Sequence, residues 1–91
     1  MTALVAAWHP VAQAPSAPDG VTGWVAHLHG RELAVWPDPV GGRWRWRVES
    51  SHGTALGDGD APDRIAAERA AEDEATAVHP PTDLLLDRLL S

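Results

Sequence analysis

Arg43-Trp44-Arg45-Trp46-Arg47-Val48 is the stretch whose reading decides the fold. Charged and apolar side chains alternate there at strict period two, so a strand places the three arginines on one face and Trp44, Trp46 and Val48 on the other. Upstream, Val21 to Leu28 alternates, and Arg31 to Trp36 alternates again. Between them stands His29-Gly30, a two-residue connection with glycine second, which signals a hairpin. Pro37-Asp38-Pro39-Val40-Gly41-Gly42 is a loop by composition.

Parity tests whether these runs belong to one sheet. Pairing Leu28 with Arg31 sets Trp24 against Val35 and Ala26 against Leu33. Pairing Val35 with Trp44 then sets Leu33 against Trp46. One face collects Trp24, Ala26, Leu28, Leu33, Val35, Trp44, Trp46 and Val48. The other collects Val25, His27, Glu32, Ala34, Trp36, Arg43, Arg45 and Arg47. This sorting is what a half-buried antiparallel sheet requires. A three-stranded meander is expected, with a short fourth strand at Thr54-Ala55-Leu56 closing its edge.

A helix follows. Asp60 reads as its N-cap, with Pro62 in the first turn and Asp63 at the third position, and Gly57-Asp58-Gly59-Asp60 reads as the turn before it. Arg64 to Val78 runs without a breaker until His79-Pro80-Pro81. Ala66, Ala67, Ala70, Ala71, Ala75, Ala77 and Val78 share one side, small enough for close approach to a sheet face carrying three indoles. Glu74 sits inside that alanine arc and Ile65 outside it, and neither fits the pattern. The fold class expected is therefore α+β: a three-stranded antiparallel sheet with one helix packed on one face.

Three segments frame the organisation. Residues 1–19, with Pro10, Pro15 and Pro18 among alanines, read as a tail, and residues 20–79 as the β-β-β-α domain. Residues 80–91 read as a short C-terminal helix with a stripe of Leu85, Leu86, Leu89 and Leu90. That stripe suits docking on its own domain, a dimer seam or a partner's groove. A domain near 60 residues has a marginal core, so added burial from a tail or a homodimer is expected. The N-terminal stretch has no basic residue, and His9-Pro10 interrupts its apolar run, so no secretory signal is expected and a cytoplasmic location is the default.

The composition excludes several kinds of chemistry. No cysteine is present, which removes disulfide scaffolds, thiolate metal sites and cysteine nucleophiles. No run is long and apolar enough for a membrane span. Every one of the 7 basic residues is Arg, and Lys, Asn, Tyr and Phe are absent, which points to a GC-rich bacterial or phage genome. His27 and His29 have strand-ligand spacing, but two imidazoles are too few to close a zinc site. Gly57-Asp58-Gly59-Asp60 lacks the spaced ligands of a calcium loop. Ser50, Ser51 and Thr54 near His52 are neighbours in a turn and not a triad. No catalytic residue, metal or cofactor is expected, and the chain is read as non-enzymatic.

Two surfaces remain as candidates for binding. The first is the sheet face away from the helix, bearing Trp36, Arg43, Arg45, Arg47 and His27, since Arg and Trp are enriched at binding hot spots. A solvated edge strand guarded by charge accounts for the same arginines, with Glu32 opposite Arg47 as a plain cross-strand pair. The second surface is the helix bearing Glu68, Glu72, Asp73 and Glu74, for which a solvated face is the simpler account. The net charge is −6, yet residues 21–48 carry four Arg against two carboxylates, and residues 49–74 carry eight carboxylates against two Arg. The chain thus reads as bipolar.

A three-stranded sheet backed by one helix and bearing Arg43, Arg45, Arg47 and Trp36 is similar in architecture to the arm-type DNA-binding domains of tyrosine integrases and to AP2-type domains. Those present Arg and Trp from a sheet to the major groove, which implies nucleic-acid binding through these residues. In size and charge alone the chain is similar to small acidic inhibitors of phages, anti-CRISPR and DNA-mimic proteins among them, which implies carboxylates of the helix standing where a target expects phosphates. Protein binding is the preferred expectation, with another protein as partner, and nucleic-acid binding the alternative.

Overall fold

The computed structural model describes residues 6–77. Five antiparallel strands form one sheet in chain order: β1 His9–Val11, β2 Gly23–Leu28, β3 Arg31–Pro37, β4 Trp44–Glu49 and β5 Ala55–Ala61. One helix, α1 (Arg64–Ala77), packs on one face against β3, β4 and β5. The fold is α+β, and the sheet has five strands where three or four were expected. The Leu85, Leu86, Leu89 and Leu90 stripe lies outside the described residues.

The β2–β3 hairpin has the expected register, Trp24 against Val35, Ala26 against Leu33 and Leu28 against Arg31. Its turn is tight because His29 (φ 55°) and Gly30 (φ 77°) are both left-handed, as a turn matching the strand twist requires. The β3–β4 hairpin is shifted by two residues from expectation. Val35 pairs with Trp46, Leu33 with Val48 and Pro37 with Trp44. The Asp38 N–H donates to the Arg43 carbonyl at 2.7 Å, which closes the turn over residues 38–43 and lets pairing begin at Pro37. An even shift keeps every side chain on its face, so the facial assignment survives. Glu32 consequently stands opposite Glu49, and Arg47 opposite Ala34.

Residues 57–60, expected to be a turn, belong to β5 instead. The strand alternates glycine and aspartate, with Gly57 and Gly59 on the helix side and Asp58 and Asp60 on the outer side. Glycine is a weak strand former, and here it marks close approach. A Cβ at Gly59 would stand 2.9 Å from Trp46 Nε1, and one at Gly57 would stand 2.8 Å from Cγ and Cδ of Glu74. The misfit Glu74 is thereby explained, because it lies over a position with no side chain.

Asp60, being in β5, is not the helix cap. Asp63 is: the Ala66 N–H donates to its Oδ1 at 2.8 Å. From that start Ala67, Ala71 and Ala75 form one fully buried row, while Ala66 and Ala70 are half-buried and Ala77 is exposed. Ile65 is 50% exposed. The core beneath the helix is Leu33, Val35 and Val48. Trp24, Trp44 and Trp46, expected inside it, are half-buried around its rim.

The segment before Gly20 does more than trail. Its β1 pairs His9, Pro10 and Val11 with Val25, Trp24 and Gly23. The chain then crosses the outer face, where Ala14 joins Val25, Ala34 and Trp36 in a second small core. Gln13 shapes this crossing. Its Nε2 donates to the carbonyls of Ala14, Ala17 and Pro18, and its Oε1 accepts from the Gly20 N–H at 2.6 Å. Trp36, expected to be exposed, is only 7% exposed as a result. Covering an indole removes about 150–250 Å² from water, on the order of 4–6 kcal/mol as an upper figure. Gly23 makes room for this packing, since a Cβ there would stand 2.3 Å from the Val35 carbonyl oxygen and 2.8 Å from the Ala14 Cβ. Gly23→Ala is expected to destabilise the fold by about 1–3 kcal/mol, seen as a lower urea midpoint at unchanged slope.

Candidate functional site

The outer sheet face carries the arginines, but not alone. Arg45 stands opposite Trp36 on β3 and Asp60 on β5, and Arg47 stands opposite Ala34 and Asp58. The fifth strand thus adds two carboxylates to the face expected to be basic, beside Glu32 and Glu49. Arg43 Nε meets Asp60 Oδ2 at 3.2 Å, and Arg47 Nε donates to Glu49 Oε2 at 2.7 Å. His27 Nε2 lies 3.9 Å from Glu32 Oε2 at the far end of the face. Among the described residues Arg45 is the one member of the arginine ladder without an ion-pair partner, and its side chain is exposed.

Arg45 borders a cleft of about 390 Å³ whose floor is Trp36. Ser16 and Pro18 of the N-terminal crossing form one wall, and Asp38, Pro39 and Val40 of the β3–β4 turn form the other. Both walls are anchored. Ser16 Oγ donates to Glu49 Oε2 at 3.3 Å, and the Val40 N–H donates to Asp38 Oδ1 at 2.9 Å. The turn holds Val40 out in solvent, 78% exposed, beside the free guanidinium. A second cleft of about 370 Å³ lies near His27, Glu32, Glu49 and Ser50, but Glu49 is already engaged by Arg47 and Ser16. Among the described residues no group of three or more His, Asp or Glu side chains is arranged to hold a metal ion.

The helix carboxylates are placed differently from expectation. Of Glu68, Glu72, Asp73 and Glu74, only Asp73 is exposed. Arg64, Glu68 and Glu72 make a row facing the β2 side. Arg64 caps the Trp24 ring at 4.4 Å from its centroid and pairs with Glu68 at 3.3 Å. Glu72 Oε2 accepts the Trp8 Nε1–H at 2.8 Å. Glu72 therefore ties the N-terminal segment to the helix, and Glu68 pairs with the guanidinium that covers Trp24.

Comparison with protein-family models, curated proteins and solved structures found no match. The cleft is accordingly read from its own geometry. Of the sheet-face residues expected from the sequence, Trp36 and Arg45 meet at one cleft, whereas His27, Arg43 and Arg47 lie elsewhere on the same face. Val40, Ser16, Asp58 and Asp60 are not among the residues to which the sequence points. The Gly-Asp alternation of residues 57–60 was the one available signal, since period two holds there without any hydrophobic residue.

Burial raises the Glu68 carboxyl above its ordinary 4.5, with Arg64 opposing and the neighbouring Glu72 adding to the rise. A carboxyl raised on folding binds its proton more tightly in the folded state. Its contribution to stability is therefore full below about 4.5 and is lost as pH rises through the folded value. Denaturant titrations at a series of pH values should show this falling component above 4.5 in the wild type and its absence in Glu68→Gln.

Proposed function

We propose that this chain is a small, non-enzymatic protein-binding module of the cytoplasm, which engages another protein through the outer sheet face at the Trp36–Arg45 cleft. The observation that carries this reading is the pairing of an unpartnered guanidinium with an exposed Val40 over an indole floor. A surface of that kind receives an apolar side chain next to a carboxylate, the buried-anchor and charged-neighbour arrangement of an interface centre. Asp60 stands opposite Arg45 across the ladder but is paired with Arg43, and among the described residues no carboxylate forms an ion pair with Arg45, so a partner's Asp or Glu is its natural complement.

The nucleic-acid alternative has less support. Arg43, Arg45 and Arg47 share their face with Glu32, Glu49, Asp58 and Asp60, and binding of backbone phosphates calls for a net basic surface. The helix route has less support too, because Glu68, Glu72 and Glu74 are half-buried and only Asp73 is exposed.

Immobilised wild type and the Val40→Asp/Arg45→Ala double variant can be compared on a nuclease-treated lysate of a GC-rich bacterium. Both positions are exposed, so far-UV circular dichroism and thermal midpoint should match between the two. A protein held by the wild type should be retained about tenfold or more weakly by the variant. Equal retention by both, or salt-sensitive retention of DNA or RNA when nuclease is omitted, argues against the cleft as a protein site.

A further inference from the structure

The sheet has two edges of very different character. β1 is three residues long and contains Pro10, which has no N–H to offer. Short length and proline are the usual ways an edge is made unreactive. β5 is seven residues long, contains no proline, and ends only at Pro62. After the irregularity opposite Val48 and Glu49, residues 57–61 run in regular register with β4. Alternate residues of this run turn their N–H and C=O away from β4, and among the described residues no strand pairs with that side.

The charged side chains of the edge strand itself are acidic. Asp58 and Asp60 project on the outer face; Asp60 already meets Arg43 Nε at 3.2 Å, whereas Asp58 has no ion-pair partner among the described residues. On the helix face Glu74 lies over Gly57, and the Trp46 indole lies over Gly59. A strand added here would therefore pass between aspartates on one side and an indole and a glutamate on the other. A second copy of this chain is a poor occupant. Antiparallel pairing of β5 with itself sets the two copies' aspartates against one another, and like charges directly opposite destabilise a strand pair.

We propose that the open edge of β5 is a docking site for a basic, extended segment of another protein, which adds a sixth strand with Arg or Lys beside Asp58 and an apolar residue beside Trp46. Backbone hydrogen bonds supply the attachment, and alternate side chains supply the selection. This surface is separate from the Trp36–Arg45 cleft and stands or falls without it.

The full chain, labelled with ¹⁵N, is titrated with an acetylated, amidated Arg-Val-Arg-Val-Arg-Val-Arg peptide. The same peptide N-methylated at its arginines, and another N-methylated at its valines, are run beside it. Expected are saturable shifts centred on Gly57 to Ala61 and the Trp46 indole N–H, with slower exchange of the β5 amides. One of the two N-methylated peptides should fail, since one phase of the ladder loses its donors. Asp58→Asn, which removes the charge without setting a cation opposite Arg47, should keep a near-wild-type melting temperature and bind the parent peptide about fivefold more weakly. The proposal is overturned if no saturable shift appears at millimolar peptide, or if both N-methylated peptides bind as well as the parent, since charge alone is then at work. It is equally overturned if the outward amides of β5 are already protected in the dilute free chain, which would mean the edge is covered from within.

Discussion

The structure depends on one steric constraint: each large side chain in this small sheet needs a partner with almost no side chain. Ala67, Ala71 and Ala75 allow α1 to lie close on Leu33, Val35 and Val48. Gly59 admits the Trp46 indole, Gly57 admits Glu74, and Gly23 with Ala14 admits Trp36. Large against small at facing positions is how layers interdigitate at the density of a protein interior. The abundance of alanine and glycine in this chain, which looks bland as composition, is the complement of its tryptophans.

The same small size explains the polar contacts at the rim. With three fully buried large side chains in the core, the indoles at its margin are shared between packing and polar contacts. Arg64 covers Trp24, and Glu72 holds Trp8 by its indole N–H. Both come from one helix row, with Glu68 between them, paired with Arg64 and with its carboxyl raised by burial. The acidic helix is thus a structural element first, joining β2 and the N-terminal segment to the second layer.

On the opposite face, charge is balanced strand against strand. Asp58 and Asp60 accompany Arg43, Arg45 and Arg47, so the separation of charge along the chain is largely cancelled in space. What the face retains is local. One exposed guanidinium stands beside one exposed valine above a covered indole. An interface can be built on so small a feature, because a few well-placed side chains carry most of the binding energy.

Period two in residues 21–28, 31–36 and 43–48 was enough to sort Trp24, Leu33, Val35, Trp46 and Val48 from His27, Arg45 and Arg47, and even a two-residue error in register could not mix the faces. The start and body of the helix were likewise readable, to within the choice between Asp60 and Asp63 as cap. The β5 strand was hidden because its inward residues are glycines, which carry no hydrophobic signal. The burial of Trp36 is not legible in the sequence, because its cover arrives from Ala14, held by Gln13 hydrogen bonds that no periodicity announces. What the sequence by itself determined is which side chains lie on which face, since that follows from backbone geometry within each strand. Which of those side chains are covered, paired or left free was decided only by tertiary structure, because burial and neutralisation come from segments distant along the chain.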